Sequence, residues 1–88
     1  MTRKRYTVTI RPRAVKAMTG FPWPVQERMQ KTIGSLFDDP RPKHHECRKI
    51  GKNTYRIKVG QDYRVIYTID DTAKEVEIFR VAHRKDAY

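Results

Sequence analysis

The sequence predicts a small α+β domain in which two helices cover one face of an antiparallel sheet. Its length of 88 residues is that of one domain, and we expect residues 1–88 to form it. Residues 25–37 carry apolar side chains at helical spacing, whereas residues 54–59 and 63–69 alternate with the two-residue period of strands. A strand, then helices, then strands joined by short turns is typical of an α+β sandwich.

The N-terminal half contains the first strand and both helices. Residues 6–10 are rich in β-branched and aromatic side chains, which favours a strand. Pro12 suits the first position of a short helix, and Gly20 suits its end. Residues 25–37 carry apolar side chains every third or fourth position, which predicts the second helix. The prolines that follow, beginning with Pro40, end it.

The C-terminal half reads as three or four strands. Residues 45–50 form a possible edge strand, residues 54–59 alternate cleanly, and residues 60–62 make a tight turn into a strand at residues 63–69. Residues 75–83 form the last strand. It is apolar on both faces, with Val76 and Ile78 on one and Phe79 and Val81 on the other, so we expect it to be central.

The chain is strongly basic, and this charge favours a polyanionic partner. Twenty Lys and Arg against ten Asp and Glu give a formal net charge of +10 and a pI of about 10.1. Solubility alone needs a net charge of only about 2–8 in a small domain. Contact with nucleic acid is therefore favoured over a merely solvated basic surface.

Composition excludes several other classes of protein. No run of about 20 apolar residues exists, so we expect no membrane contact, and no apolar segment resembles a secretory signal. The single cysteine, Cys47, cannot form an internal disulfide, which fits a cytoplasmic location. Cys47 has no base at a fixed spacing and is not predicted to be a nucleophile. His44, His45, Glu46 and Cys47 lack the spacing of a metal site, so we predict neither metal nor cofactor.

Cationic side chains are predicted to share the face of the sheet that the helices leave open. Arg56 and Lys58 alternate with apolar residues, and Arg64 follows the turn on the partner strand. The last strand ends with His83 and Arg84. Arginine presents planar, forked donors that suit phosphate, so this groove suits a phosphodiester backbone. The alternative is an ordinary strand face with solvated cations.

Three segments together resemble the RelE branch of the RelE/ParE toxin superfamily. They are Tyr-Arg-Ile-Lys-Val at residues 55–59, Asp-Tyr-Arg-Val-Ile-Tyr at residues 62–67 and Arg-Val-Ala-His-Arg-Lys-Asp-Ala-Tyr at residues 80–88. The resemblance covers nearly the whole chain. It implies the toxin of a type II toxin–antitoxin system, a metal-independent endoribonuclease that cuts mRNA in the A site of the 70S ribosome. Attack by the 2′-hydroxyl would leave a 2′,3′-cyclic phosphate and a 5′-hydroxyl, and translation would stop.

The resemblance also implies site residues. The basic residues of the first strand motif fall on Arg56 and Lys58, and the later arginines fall on Arg64 and Arg84. The terminal tyrosine that stacks on an mRNA base falls on Tyr88. Relatives often have lysine where this chain has Arg56, which concentrates the role of general base on Lys58.

The chemistry is reasonable at these positions. Repulsion from the neighbouring arginines favours the neutral amine of Lys58, which can then take the 2′-hydroxyl proton. Arg64 and Arg84 would stabilise the negative charge of the phosphorane. Either Arg84 or His83 would serve the leaving oxygen, unless His83 points to the other face and is structural. No carboxylate is expected in the groove, which argues against a Glu–His pair.

Other residues are predicted to hold RNA or to form the core. The expected RNA contacts, with mRNA and the 16S rRNA, are cations on loops and strand ends: Arg11, Arg13, Lys43, Arg48, Lys49 and Lys52. The aromatic residues Trp23, Tyr55, Tyr63 and Tyr67 are predicted to be core, with antitoxin contact as the alternative for Trp23.

Two further functions stay open for the same fold, together with the partners they imply. A cognate antitoxin would mask the groove, and operator DNA would be bound only through that antitoxin. One alternative is a ParE-like inhibitor of DNA gyrase, which binds a protein and cleaves nothing. The other is a non-catalytic RNA-binding relative.

Overall fold

The computed structural model describes residues 5–43 and 46–85, which form two helices and a five-stranded sheet. The elements, in chain order, are β1 (Thr7–Ile10), α1 (Pro12–Thr19), α2 (Trp23–Ser35), β2 (Arg48–Gly51), β3 (Thr54–Val59), β4 (Tyr63–Asp70) and β5 (Glu75–His83). The predicted α+β class is confirmed. Tyr88 and the pair His44 and His45 lie outside the described residues. No helix in the described ranges is long and apolar enough to cross a bilayer.

The strands are ordered β1-β5-β4-β3-β2, so the last strand is central, as predicted. The β2–β3, β3–β4 and β4–β5 pairs are antiparallel, whereas β1 runs parallel to β5. The sheet is therefore mixed rather than wholly antiparallel. The helical pair provides the long connection that brings the chain back to the sheet after β1.

The core lies between the helices and one face of the sheet. Met29 and Leu36 are fully buried beneath the sheet residues Ile57, Val65 and Tyr67, each of which is also fully buried. Alternation in β3 and β4 puts these apolar residues on one face and leaves the other face for polar groups. This second face, which no helix covers, is called the open face below.

A bulge in β5 corrects the predicted facing of that strand. Tyr67 pairs with Ile78 and Ile66 pairs with Arg80, so Phe79 is the extra residue. The bulge shifts the alternation by one position. Val76, Ile78 and Val81 consequently all join the core, where strict alternation would have put Val81 on the other face.

The predicted position of Trp23 in the core is wrong. Trp23 is the first residue of α2 and is 67% exposed. Two prolines flank it, and Pro22 lies at the cap, where its fixed φ directs the chain into the helix. Phe21 packs against the core instead, with its ring centroid 4.8 Å from that of Tyr63. The helix also begins two residues earlier than its apolar period indicates.

Candidate nucleic-acid interface

The open face carries a cluster of cations where β3 and β4 approach their shared turn. In the strand register, Lys58 of β3 lies opposite Arg64 of β4, and Arg64 lies opposite Ala82 of β5. These three residues therefore form one row across the sheet. The next row contains Arg48, Arg56, Ile66 and Arg80 in register. The two rows, together with Arg84 just after β5, are called the cationic groove. The predicted grouping of Arg56, Lys58 and Arg64 is confirmed as geometry.

Arg64 is the most buried member of the cationic groove, at 6% exposure. Its Nη1 donates to the carbonyl oxygens of Tyr63 at 3.0 Å and Gln61 at 3.3 Å. Its Nε is buried and has no hydrogen-bond partner in the described part of the chain. A buried cation without a counter-ion costs stability. The two backbone carbonyls therefore fix one side of the Arg64 guanidinium, while its buried Nε is left unsatisfied.

Arg84 lies beside the same turn. Its backbone N–H donates to the carbonyl of Asp62, and its Nε lies 3.4 Å from Asp62 Oδ1. The turn that places Asp62 contains Gly60 at φ +66°, a conformation that glycine adopts without strain. The side chain of Arg84 stays 57% exposed, so it remains accessible to a ligand.

His83 is not brought together with these cations. It pairs with Tyr63, which faces the helices, so His83 lies on the helix-covered face. Its ring meets that of Tyr63 edge-on at 5.0 Å between centroids. Its Nδ1 accepts a hydrogen bond from the backbone N–H of Lys85 at 3.2 Å.

Two carboxylates reach the groove, so the expectation that it contains none is wrong. Glu46 Oε2 lies 3.6 Å from Lys58 Nζ, and Asp62 lies beside Arg84. Strand periodicity carried no signal for either, because Glu46 precedes β2 in a loop and Asp62 lies in a turn. Their opposite charge to the cations was the only available hint.

The residues predicted to hold RNA fall into two groups. Lys43, Arg48, Lys49 and Lys52 are exposed on the β2 side of the sheet. Arg11 and Arg13 lie at the opposite edge, near β1, where they line an open groove of about 600 Å³ with Glu77 and Phe79. Arg11 Nε is 2.9 Å from Glu77 Oε2, so its charge is already paired.

A network of polar groups anchors the loop between α2 and β2. Arg41 donates to both carboxylate oxygens of Asp71, at 3.2 and 2.8 Å, and its Nε donates to Tyr55 Oη at 3.0 Å. Tyr6 also donates to Asp71, at 2.6 Å. The hydrogen bonds from Arg41 and Tyr6 lower the pKa of Asp71 to about 2. The hydrogen bonds from Arg41 to Asp71 and to Tyr55 raise the pKa of Arg41.

The buried hydroxyl of Tyr67 fastens both ends of this loop. It donates to the carbonyl of Pro40 at 2.7 Å and lies 3.2 Å from Cys47 Sγ. Burial raises the pKa of Tyr67, so the phenol stays protonated and keeps its donor. Cys47 therefore has a structural partner. Among the described residues, no group of three or more His, Cys, Asp or Glu could hold a metal ion.

Comparison with known proteins gives one family and one fold. A sequence model of the ParE toxin of type II toxin–antitoxin systems matches residues 8–88. A search of curated protein sequences finds no match. The archaeal RelE of a RelE–RelB complex from Pyrococcus horikoshii OT3 is 29% identical, with a TM-score of 0.83 over 91% of this chain and 96% of that one.

Two bacterial structures agree. The toxin–antitoxin complex RelBE2 of Mycobacterium tuberculosis contains a chain 25% identical, with a TM-score of 0.75 over 94% of this chain and 95% of that one. The isolated E. coli RelE toxin is 24% identical, with a TM-score of 0.72 over 89% of this chain and 83% of that one. This match supports the fold alone.

The fold and these matches define a type II toxin of the RelE/ParE superfamily. Within it, the chain belongs to the ParE toxin family of type II toxin–antitoxin systems.

Proposed function

We propose that this toxin is a ribosome-dependent endoribonuclease that cleaves mRNA in the A site and so stops translation. The observation that carries the proposal is the row of Lys58 and the buried Arg64 on the open face. Replacing a buried charge by an apolar residue is often neutral or stabilising, so folding alone does not account for the buried Arg64. Its presence is expected where an anion such as the scissile phosphate binds.

In the proposed reaction, the 2′-oxygen of the upstream nucleotide attacks the phosphorus atom. Lys58, as the neutral amine, accepts the 2′-hydroxyl proton while the new O–P bond forms. Arg64 stabilises the additional negative charge on the phosphorane oxygens. The bond from phosphorus to the 5′-oxygen then breaks, and Arg84 neutralises the charge on that oxygen until it takes a proton from water. The products are a 2′,3′-cyclic phosphate and a 5′-hydroxyl.

The remaining predicted site residues take supporting roles in this proposal. Arg56 and Arg48 hold the phosphates that flank the scissile one, and Tyr88 stacks on an mRNA base. The exposed Lys43, Lys49 and Lys52 contact rRNA. His83 lies on the other face, so we assign the leaving oxygen to Arg84 and treat His83 as support for Tyr63.

A cognate antitoxin is the proposed protein partner. Structures of archaeal and bacterial RelE chains in complex with RelB antitoxins support this assignment. Trp23 is the most exposed of the large hydrophobic residues in the described ranges, and we propose that it contacts the antitoxin. Operator DNA would be bound through the antitoxin, and the toxin would act in the cytoplasm.

Inhibition of DNA gyrase is the second candidate function, favoured by the match of the ParE model over residues 8–88. A gyrase inhibitor acts by binding a protein and does not need Lys58 or the buried Arg64. The two functions therefore differ in what the cationic groove is for.

The test is induced expression in a bacterial host, with primer extension on a translated mRNA. The nuclease is expected to produce translation-dependent cuts within codons. The double variant Lys58→Ala/Arg84→Ala should abolish them, whereas the matched pair Lys16→Ala/Lys31→Ala, on the helices, should not. Growth arrest with an SOS response and no cuts would contradict the nuclease and support the gyrase inhibitor.

A further inference from the structure

Glu46 is a carboxylate at the cationic groove that the proposed reaction does not use. Its Oε2 lies 3.6 Å from Lys58 Nζ, and its side chain is 74% exposed, against 32% for Lys58. Asp62, the other carboxylate of the groove, faces Arg84 instead. Glu46 is thus the one described carboxylate that occupies the surroundings of the proposed general base.

The backbone around Glu46 is built to present this side chain. Glu46 has φ +50°, in the left-handed region that a residue with a Cβ atom rarely adopts. Cys47, the next residue, lies against the hydroxyl of Tyr67, which also donates to the carbonyl of Pro40. The backbone of Glu46 therefore leads directly into an anchored residue, and its side chain lies beside Lys58.

We propose that Glu46 occupies the place of an RNA phosphate at Lys58 and competes with RNA for the N–H donors of Lys58 Nζ. A carboxylate and a phosphate both accept hydrogen bonds from the same donor, and their charges repel each other. Because the pair is exposed, solvent weakens it, and an arriving phosphate can displace the carboxylate. This inference rests on the proposed function, since it assumes that RNA enters the groove.

The consequence is discrimination between stray RNA and RNA held in position. Non-specific RNA binds through phosphate contacts alone, so competition at one of them lowers its affinity directly. An mRNA held by the ribosome has a much higher effective concentration at the groove and displaces Glu46 readily. Glu46 is thus a specificity-determining residue that acts through Lys58.

The first measurement is the affinity for an uncleavable, 2′-O-methylated single-stranded RNA, followed by fluorescence anisotropy over a range of salt concentrations. Glu46→Gln keeps the size of the side chain and removes its charge. It is expected to tighten binding about two- to fivefold and to steepen the dependence of log K on log salt by about 0.7. The control Glu27→Gln removes the same charge from the exposed side of α2. It should change both the affinity and the salt dependence by less than Glu46→Gln does.

A double-mutant cycle tests the partner. In a Lys58→Met background, Glu46→Gln is expected to lose its gain in affinity, because the group for which Glu46 competes is gone. Equal gains in both backgrounds, or equal gains from Glu27→Gln, would overturn the proposal.

Cleavage on programmed ribosomes separates competition from catalysis. Because Glu46 competes with RNA for binding, Glu46→Gln is expected to lower KM and to leave kcat unchanged. A loss of kcat would overturn the proposal and make Glu46 part of the reaction. Wild-type chain that binds RNA and cleaves mRNA, with Glu46→Gln indistinguishable from Glu27→Gln, would refute this inference and leave the proposed function standing. Wild-type chain that neither binds nor cleaves would refute both.

Discussion

The two ends of the open face differ in charge although the same three strands build both. Near the β3–β4 turn, Lys58 and Arg64 lie in register beside Ala82. At the other end, the matching row contains Thr54, Thr68 and Glu77. The helix-covered face is apolar at both ends, apart from His83 near the β3–β4 turn.

The comparison within β4 shows which end contributes to stability. Thr68 is a neutral β-branched residue on the pleated surface, which suits a strand. Arg64, four residues earlier on the same face, is buried with an unpartnered Nε. The cationic end therefore carries a desolvation cost at Arg64 that Thr68 does not have at the neutral end. Proteins retain such conflicts at sites of function.

The largest expected effect comes from removing that conflict. Arg64→Met keeps a long side chain and removes the buried charge. We expect cleavage of ribosome-bound mRNA to fall by about 100-fold or more, as for loss of a transition-state donor. We also expect the free energy of unfolding to rise by about 1 kcal/mol, since apolar replacement of buried charge often stabilises. Denaturant unfolding and primer extension measure the two effects.

Thr68→Met is the control at the neutral end of β4. It should leave cleavage at the wild-type level. If Arg64→Met unfolded the chain or kept its activity, the contrast between the two ends would be wrong.

The next largest effect concerns the loop that presents Glu46. Tyr67→Phe removes the hydroxyl that donates to Pro40 and leaves that carbonyl buried without this donor. An unmade buried hydrogen bond costs about 1–3 kcal/mol, and we expect a loss of unfolding free energy in that range. Thermal or urea unfolding measures it.

Tyr55→Phe is the matched control, because it removes a hydroxyl bonded to the exposed Arg41. Its loss should be smaller. Equal losses for the two variants would show that the Tyr67 hydroxyl does not hold the loop.

Local periodicity was sufficient to predict most of the fold. The alternation of β3 and β4 gave their faces correctly, and with them the grouping of Lys58 and Arg64. The parallel pairing of β1 with β5 was missed, because a four-residue strand carries no information about its partner. The bulge at Phe79 was missed because an extra residue is set by packing across the sheet.

The site was predictable where strands supply it and not where loops do. Arg56, Lys58 and Arg64 follow from strand alternation. Glu46 does not, because its approach to Lys58 depends on a left-handed backbone in a loop anchored by distant residues. The sequence did not decide on which face of the sheet His83 lies. Its register pairing with Tyr63 puts it on the helix-covered face.

A smaller effect distinguishes the two groups of predicted RNA contacts. Arg48 lies in register with Arg56 on the open face, whereas Arg11 is already paired with Glu77. Arg48→Gln is expected to reduce the salt dependence of single-stranded RNA binding by about 0.7, the contribution of one phosphate contact. Arg11→Gln should leave it nearly unchanged. Fluorescence anisotropy titrations at several salt concentrations measure the salt dependence for both variants. Equal slopes for the two variants would show that the two edges of the sheet do not differ in RNA contact.

The smallest expected effect is on acid stability, through the network that anchors the loop. The folded-state pKa of Asp71 is about 2, below the ordinary value of 3.8, because Arg41 and Tyr6 donate to the carboxylate. A lowered carboxyl pKa stabilises the folded state above the ordinary value and loses that contribution as pH falls towards the folded value. Wild-type Tm should therefore fall between about pH 5 and pH 2 more steeply than that of Asp71→Asn. The control Asp39→Asn removes an exposed carboxyl that accepts a hydrogen bond from the backbone N–H of Arg41, and it should keep the wild-type slope. Parallel slopes for wild type and Asp71→Asn would show that the Arg41–Asp71 contact does not anchor the loop in solution.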